Sequence, residues 1–213
     1  MKLYYSAGAC AISPNIALHE ADVQFSVVAV DLKNKKTEDG RDFYEVNPKG
    51  SIPVLEIEEG VILTEGPAIL QYIADLVPEK KLAPTNGTMD RYRFQEVLNF
   101  ITSELHKGFP PFFEAYGYPE ETKPVARELL RKKFDLVNKR LAGQDYMMGT
   151  SFTMADAYLY NVTRWTPAAG IDVKADYPNL YAFMERMEQR SSVQSTLKIE
   201  GVEPFTDAIS EAA

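Results

Sequence analysis

The 213-residue chain has little of the material from which disulfide frameworks and zinc sites are built. It has one cysteine, Cys10, and two histidines, His19 and His106. A single cysteine excludes an intramolecular disulfide, which fits a reducing compartment, and we expect a cytoplasmic protein. Two histidines leave too few ligands for a His-rich zinc site, so we expect no metal of that kind, although an all-carboxylate site stays open.

The sequence also lacks long apolar runs and an excess of positive charge. No apolar run reaches the ~18 residues that a membrane-spanning helix needs, and the first residues read as a short strand rather than a signal segment. There are 23 Lys and Arg residues against 31 Asp and Glu, which gives a net charge of −8. Because an acidic protein repels phosphate backbones, we expect neither nucleic acid nor membrane as a partner.

The remaining composition, 45% hydrophobic and 25% charged, is that of a globular protein. In the first third, strand patterns alternate with helix patterns. Ser13 is typical of a helix N-cap and Pro14 of a first helical residue, so a helix is expected to begin there. The spacing of the strands around it favours a βαβ crossover with parallel strands. Strands are predicted over 2–5, 25–32, 54–57 and 61–64, with another helix opening at 65–67.

After residue 76 the character of the sequence changes. Residues 77–89 are rich in turn-forming types and are typical of a linker. Beyond them strand patterns vanish, and Phe94, Leu98, Ile101 and Leu105 form one helical stripe. Further helices are predicted over 122–141, 153–170 and 178–190. The sequence thus predicts an α/β domain at 1–78, a linker at 79–88 and an all-helical domain at 89–213.

Cys10 lies between the end of a strand and the start of a helix. The unpaired N–H groups of a helix N-terminus favour a thiolate, so this cysteine is a candidate for chemistry. A free cysteine is also commonly a small buried apolar residue. Its loop position leaves the two interpretations evenly matched.

Two segments, each directly before a strand or a helix, have backbone groups that a ligand could use. Ile52-Pro53 precedes a strand, and because proline is tolerated there, a plain turn is the simpler interpretation. A cis bond would instead free the Ile52 backbone to pair with a peptide-like ligand. Glu65 and Gly66 open a helix. Glu65 either complements the helix dipole or pairs with a ligand ammonium beside a carboxylate bound at the Gly66 N–H.

The predicted helix near residue 100 has a polar stripe beside its apolar one. Asn99, Ser103, His106 and Lys107 form this stripe, which is usually a solvated face. His106 and Lys107 are nevertheless able to hold an anion or a ligand sulfur. Lys35 lies in a lysine-rich run that is most simply a solvated loop. Thr153 and Asp156 have the spacing of a capping box, and here we favour the structural interpretation.

Together these features resemble the glutathione transferase family, specifically its bacterial beta class. Each motif alone is weak, but five occur in order from residue 1 to about residue 201. The matching segments are residues 8–10, 47–55, 63–72, 104–108 and 152–158.

The resemblance implies a thioredoxin-like N-terminal domain, an all-helical C-terminal domain and a homodimer. It implies that reduced glutathione is the co-substrate, with no further cofactor, and that a small hydrophobic electrophile is the second substrate. Cys10 and His106 would lie at the glutathione sulfur, and Asn99 would reach across from the dimer partner. The implied glutathione-binding residues are Lys35, Ile52, Pro53, Glu65, Gly66, Asn99, Ser103 and Lys107.

The sequence departs from the family pattern at Ala11, where a serine is common, and at Asn15, where histidine is frequent. A cysteine thiol is a poor hydrogen-bond donor to a thiolate, so three functions stay open. The first is conjugation of glutathione to apolar electrophiles. The second is thiol–disulfide exchange or peroxide reduction through Cys10, which predicts a Cys10 pKa below ~8.5. The third is a non-catalytic ligand carrier.

Overall fold

The amino-terminal part of the chain folds around a mixed five-stranded sheet with the order β3-β2-β1-β4-β5. This is seen in the computed structural model, which describes residues 1–206. β1 pairs with β2 in parallel, as the spacing predicted, and with β4 in antiparallel fashion. The strands are β1 (Lys2–Tyr5), β2 (Ser26–Asp31), β3 (Lys36–Thr37), β4 (Val54–Glu58) and β5 (Val61–Thr64).

The helices account for most of the rest. The α-helices among the described residues are α1 (Ile12–Ala21), α2 (Phe43–Val46), α3 (Gly66–Leu76), α4 (Met89–Phe100), α5 (Lys123–Arg140), α6 (Met154–Thr163), α7 (Val173–Asp176), α8 (Pro178–Glu188) and α9 (Ser191–Glu200). Short 3₁₀ turns join several of them. The thioredoxin-like domain followed by a helical domain is confirmed as the fold class.

The sheet buries both faces because successive side chains of a strand point to opposite sides. Leu3 and Leu55 belong to the main core, which includes α1 and α3. Tyr4 and Val54 belong to a smaller core on the other face, with Phe43 of α2. One helix layer therefore lies on each side of the strands.

The main core runs without a break from the sheet into the helical domain. All ten residues of α6 are buried, which makes α6 the central helix there. α1 packs against α3 of its own domain and against α6 and α9 of the other. The turn that precedes α1 therefore lies where the two domains meet.

The observed helices differ from the sequence patterns at three places. α1 begins at Ile12 rather than after Ser13: Ala11 occupies the N-cap position, and Ser13 is buried in the first turn. The stripe from Phe94 to Leu105 is buried, but the α-helix ends at Phe100 and continues as a π-helical turn over Ile101–Leu105. Hydroxyl groups that bond back to the carbonyls four residues earlier accompany this change, and such bonds bend helices.

The helix predicted over 153–170 is two elements, because α6 ends at Thr163 and a 3₁₀ turn follows over Thr166–Ala169. The capping box at the start of α6 is present: the Thr153 and Asp156 side chains each accept a hydrogen bond from the backbone N–H of the other residue. Sequence patterns missed β3, α2 and α7, which have only 2, 4 and 4 residues, and also the ten-residue α9.

The proposed boundaries at residues 78 and 88 stay a prediction, and residues 207–213 of the predicted helical domain lie outside the described residues. Within the described part of the chain, no helix has the length and apolar character to cross a membrane.

Candidate functional site

Cys10 lies in the turn between β1 and α1 and is half-buried. Its thiol donates a hydrogen bond to the Ile52 carbonyl oxygen, with Sγ and O 3.2 Å apart. Burial raises the pKa of the Cys10 thiol to about 12. The thiol is therefore protonated at neutral pH and is not a ready nucleophile.

The charges around Cys10 act in both directions on its pKa, after the dominant effect of burial. Glu200 and Glu65 raise it, and Lys107 lowers it. These three side chains are therefore within electrostatic range of the thiol. Two of the predicted site residues, Glu65 and Lys107, are thereby linked to Cys10 from different domains.

The Ile52–Pro53 peptide bond is cis, as the family resemblance implied. Side chains brace the turn that presents it: Lys35 Nζ donates to the Gly50 carbonyl at 2.7 Å, and Asn47 Nδ2 donates to the Ser51 carbonyl at 2.6 Å. Lys35 thus has a backbone partner and is not simply a solvated loop residue.

Glu65 and Gly66 stand at the start of α3. Glu65 has a φ of 72°, which is uncommon for a residue with a side chain, and residues held this way cluster at ligand sites. Its carboxylate forms an ion pair with Lys49, with Oε1 and Nζ 2.6 Å apart. Both side chains are mostly exposed, so the pair stabilises little and the Glu65 carboxylate stays accessible.

His106 is turned inward, unlike the rest of the polar stripe. Its Nδ1 lies 2.8 Å from the hydroxyl oxygen of Tyr158, and its ring meets the Trp165 ring with centroids 4.9 Å apart. Burial, with a smaller effect of Lys107, lowers the pKa of His106 to about 4. His106 is therefore neutral at pH 7 and supplies hydrogen bonding, not positive charge.

Asn99, Ser103 and Lys107 are exposed. The Ser103 hydroxyl donates to the Asn99 carbonyl at 2.9 Å. Within residues 1–206 neither the Asn99 nor the Ser103 side chain is hydrogen-bonded to Cys10 or His106, so the structure of one chain does not bring these two into the Cys10 cluster.

Aromatic side chains form a wall beside the turn that holds Cys10. Trp165 donates from Nε1 to the Gly8 carbonyl at 3.0 Å, and its ring meets that of Phe113 with centroids 5.7 Å apart. Phe109 is fully buried behind them and belongs to the core. Tyr116 is 61% exposed and lies within electrostatic range of Cys10, which is among the groups raising the pKa of Tyr116 after burial.

Sequence reasoning missed several residues that hold this site. Asn161, Tyr158 and Glu200 are buried polar side chains in helices of the second domain, and each bonds to a group more than 50 positions away. A buried polar residue within a helical pattern is a weak signal that a partner exists. Nothing local identifies the partner.

Comparisons with known proteins match this geometry to one family. Models of the glutathione S-transferase N-terminal and C-terminal domains match residues 1–75 and 100–191. Glutathione S-transferase GstA of Escherichia coli O157:H7 is 44% identical over 202 residues, which cover 95% of this chain and 100% of that one. The chain belongs to the glutathione S-transferase family.

Solved structures agree with this assignment. A glutathione S-transferase from a sphingomonad, complexed with glutathione, has 45% identity and a TM-score of 0.88, covering 95% of this chain and 100% of that one. A bacterial beta-class glutathione S-transferase from Sphingomonas chungbukensis has 44% identity and a TM-score of 0.91, with the same coverage. The resemblance to the beta class is thus confirmed for this transferase.

Proposed function

We propose that this transferase conjugates reduced glutathione to small hydrophobic electrophiles at the junction of its two domains. The observation on which this rests is the hydrogen bond of the Cys10 thiol to the Ile52 carbonyl, directly before cis-Pro53, with Lys107 of the second domain within electrostatic range of that thiol. A relative solved with glutathione shares 45% of its sequence across nearly the whole chain, which supports the ligand.

Each part of the tripeptide has a matching group. The Ile52 backbone pairs with the cysteinyl unit as an added strand would. Glu65 and the N-terminus of α3 at Gly66 bind the ammonium and carboxylate of the γ-glutamyl end. Lys35 and Lys107 supply positive charge to an anionic ligand on a protein of net charge −8.

In the proposed reaction the glutathione thiol releases its proton to water and the thiolate sulfur attacks the electrophilic carbon. With an aryl halide the new C–S bond replaces the carbon–halogen bond, and the halide ion leaves. Lys107 and hydrogen-bond donors near Cys10 and His106 stabilise the thiolate, and the site holds both reactants in position. The Cys10 thiol stays protonated and has a supporting role. Phe113 and Trp165 provide the apolar wall for the second substrate.

The raised pKa of Cys10 goes against the second function, thiol–disulfide exchange, because that chemistry needs a thiolate. The carrier function differs from conjugation only in the absence of turnover, because the accessible Glu65 and Lys107 side chains serve ligand binding in either case.

We also propose that the enzyme is a cytoplasmic homodimer. Met89 and Tyr92 are 66% and 58% exposed on α4, and Leu129 and Leu136 are 53% and 54% exposed on α5. Exposed apolar surface of this kind marks interaction sites. Asn99 lies seven residues after Tyr92, two turns along the same face of α4, which would put it next to a partner's site. Sedimentation velocity of the native chain and of Tyr92→Glu tests this, and a native monomer would refute it.

Calorimetric titration of glutathione into the reduced protein, followed by initial rates with an aryl halide, tests the proposed function. We expect saturable binding at one site per chain and turnover of the halide. Absence of binding up to millimolar glutathione would refute the proposal, and binding without turnover would favour the carrier function.

A further inference from the structure

One side chain from the helical domain brackets Cys10 on both sides. Asn161 of α6 donates from Nδ2 to the Ala9 carbonyl, and its Oδ1 accepts from the Ser13 backbone N–H, both at 3.2 Å. Cys10 lies between these two bonded positions. Asn161 is fully buried; its bond with Ser13 is buried as well, and its bond with Ala9 is partly buried.

The bond to Ser13 replaces a missing helix cap. The first N–H groups of a helix have no partner within it, and Ala11 at the N-cap of α1 has no side-chain oxygen to accept from them. Asn161 takes this place from 148 residues away. Its amide offers a donor and an acceptor on one rigid fork, which neither Leu nor ionised Asp can reproduce.

The neighbouring anchors act earlier in the turn. Glu200 accepts from the Gly8 N–H at 3.1 Å, and Trp165 donates to the Gly8 carbonyl at 3.0 Å. They fix the approach to Cys10, whereas Asn161 fixes the residue before it and the helix after it. The thiol bond to Ile52 depends on both ends of this segment being held.

We propose that Asn161 is a positioning residue that sets the orientation of Cys10 and of the backbone around the glutathione sulfur. It does so without touching the ligand, by fixing the 9–13 segment to α6. The part that concerns glutathione rests on the proposed function; the part that concerns the Cys10 thiol does not.

The test compares Asn161→Leu with Asn138→Leu. Asn138 of α5 makes the same kind of contact, its Oδ1 accepting from the Asn179 N–H at 2.9 Å and the Leu180 N–H at 3.1 Å, but at the start of α8 and without a bond to the 9–13 segment. Three quantities are measured for each protein: the rate at which iodoacetamide alkylates Cys10, the glutathione KM and kcat, and the melting temperature.

We expect both variants to melt at lower temperature. Asn161→Leu alone should change the alkylation rate by about tenfold or more and raise the glutathione KM by about tenfold, since displacement of a reacting group by an ångström costs up to ~100-fold. If Asn161→Leu does not fold, the same three quantities are measured for Asn161→Asp, which loses the donor to Ala9.

An alkylation rate equal to that of the native chain in the Asn161 variant would overturn the proposal, because the residue would then be merely structural. If the native chain fails to bind glutathione, the proposed function fails, yet the alkylation rates still decide whether Asn161 positions the thiol.

Discussion

The carboxyl group of Glu200 meets the side-chain amide of Asn15 where α9 packs on α1, with Asn15 Nδ2 donating to Oε1 over 3.4 Å. Asn15 Oδ1 is buried and has no hydrogen-bond partner in the described part of the chain. A carboxylate accepts but does not donate, so this pair leaves one acceptor unsatisfied. A protonated carboxyl or a primary amide at position 200 would have a donor to offer.

Glu200→Gln is expected to stabilise the protein above neutral pH. Burial raises the pKa of Glu200 from 4.5 to about 7, so the folded state holds a proton that the unfolded state releases. The stability that this proton contributes is complete below pH 4.5 and is lost as the pH rises through 7. The free energies of unfolding of the two proteins, measured in urea, should agree at pH 4.5. At pH 8 that of the variant should be higher by on the order of 2 kcal/mol.

Glu59→Gln, an exposed change in the turn between β4 and β5, serves as the control and should leave the pH dependence as it is. If the free energy of unfolding depended on pH in the same way for Glu200→Gln and the native chain, this would contradict the assignment of a buried, proton-binding carboxyl.

Cys10→Ala is expected to keep most of the conjugating activity. The thiol is protonated at neutral pH, with a pKa of about 12 and its proton directed to the Ile52 carbonyl. Its removal should therefore cost less than about tenfold in kcat/KM, within the range of one neutral hydrogen bond. The kcat/KM for glutathione is obtained from initial rates at saturating electrophile and varied glutathione. A loss of several orders of magnitude would assign the cysteine a covalent role instead.

Local patterns were sufficient for elements whose determinants are near in sequence. The β1–β2 crossover, the capping box at Thr153 and the buried stripe that begins at Phe94 all depend on residues within a few turns. The start of α1 did not follow from its own sequence, because Ser13 looks like a cap while the acceptor is supplied by Asn161.

The same distinction applies to the site. Cys10, Ile52 and Glu65 stand out because turn and cap signals surround them. The environment of His106 did not follow from its spacing: burial against Tyr158 and Trp165, which lie more than 50 positions away, keeps its ring neutral. Glu200 and Asn161 likewise gain their roles from tertiary contact alone.

Arg190→Gln is expected to destabilise the contact between α1 and the helical domain. Arg190 donates from Nε and Nη2 to both oxygens of Glu20, at 2.7 and 2.9 Å, and lies over the Phe152 ring. Burial alone would raise the pKa of Glu20, but the bonds from Arg190 and Ser192 outweigh it and the pKa is lowered. The pair therefore stabilises the fold above the unfolded pKa of 4.5 and this is lost as the pH falls.

Urea unfolding at pH 7 should show a loss of about 2–3 kcal/mol for Arg190→Gln, since a half-buried bidentate pair contributes less than a fully buried one. The loss should shrink at pH 3. Lys132→Gln, which breaks the exposed pair with Glu128, is the control and should cost under about 0.5 kcal/mol. An equal loss at both pH values would mean that the Arg190 stem matters through packing and not through its charge.

Tyr158→Phe is expected to lower kcat by about three- to tenfold while leaving the glutathione KM nearly unchanged. The Tyr158 hydroxyl lies 2.8 Å from Nδ1 of the neutral His106 ring and fixes that ring, and burial raises the pKa of the hydroxyl, so it keeps its proton. Without it the ring is free to exchange tautomers, and the proton on the second nitrogen is no longer held in place. Tyr4→Phe removes a comparable hydroxyl, bonded to Glu56 at 3.0 Å, and should leave kcat as it is. Nitrogen NMR of His106 measures the tautomer directly, and a single unchanged tautomer in Tyr158→Phe would contradict this role.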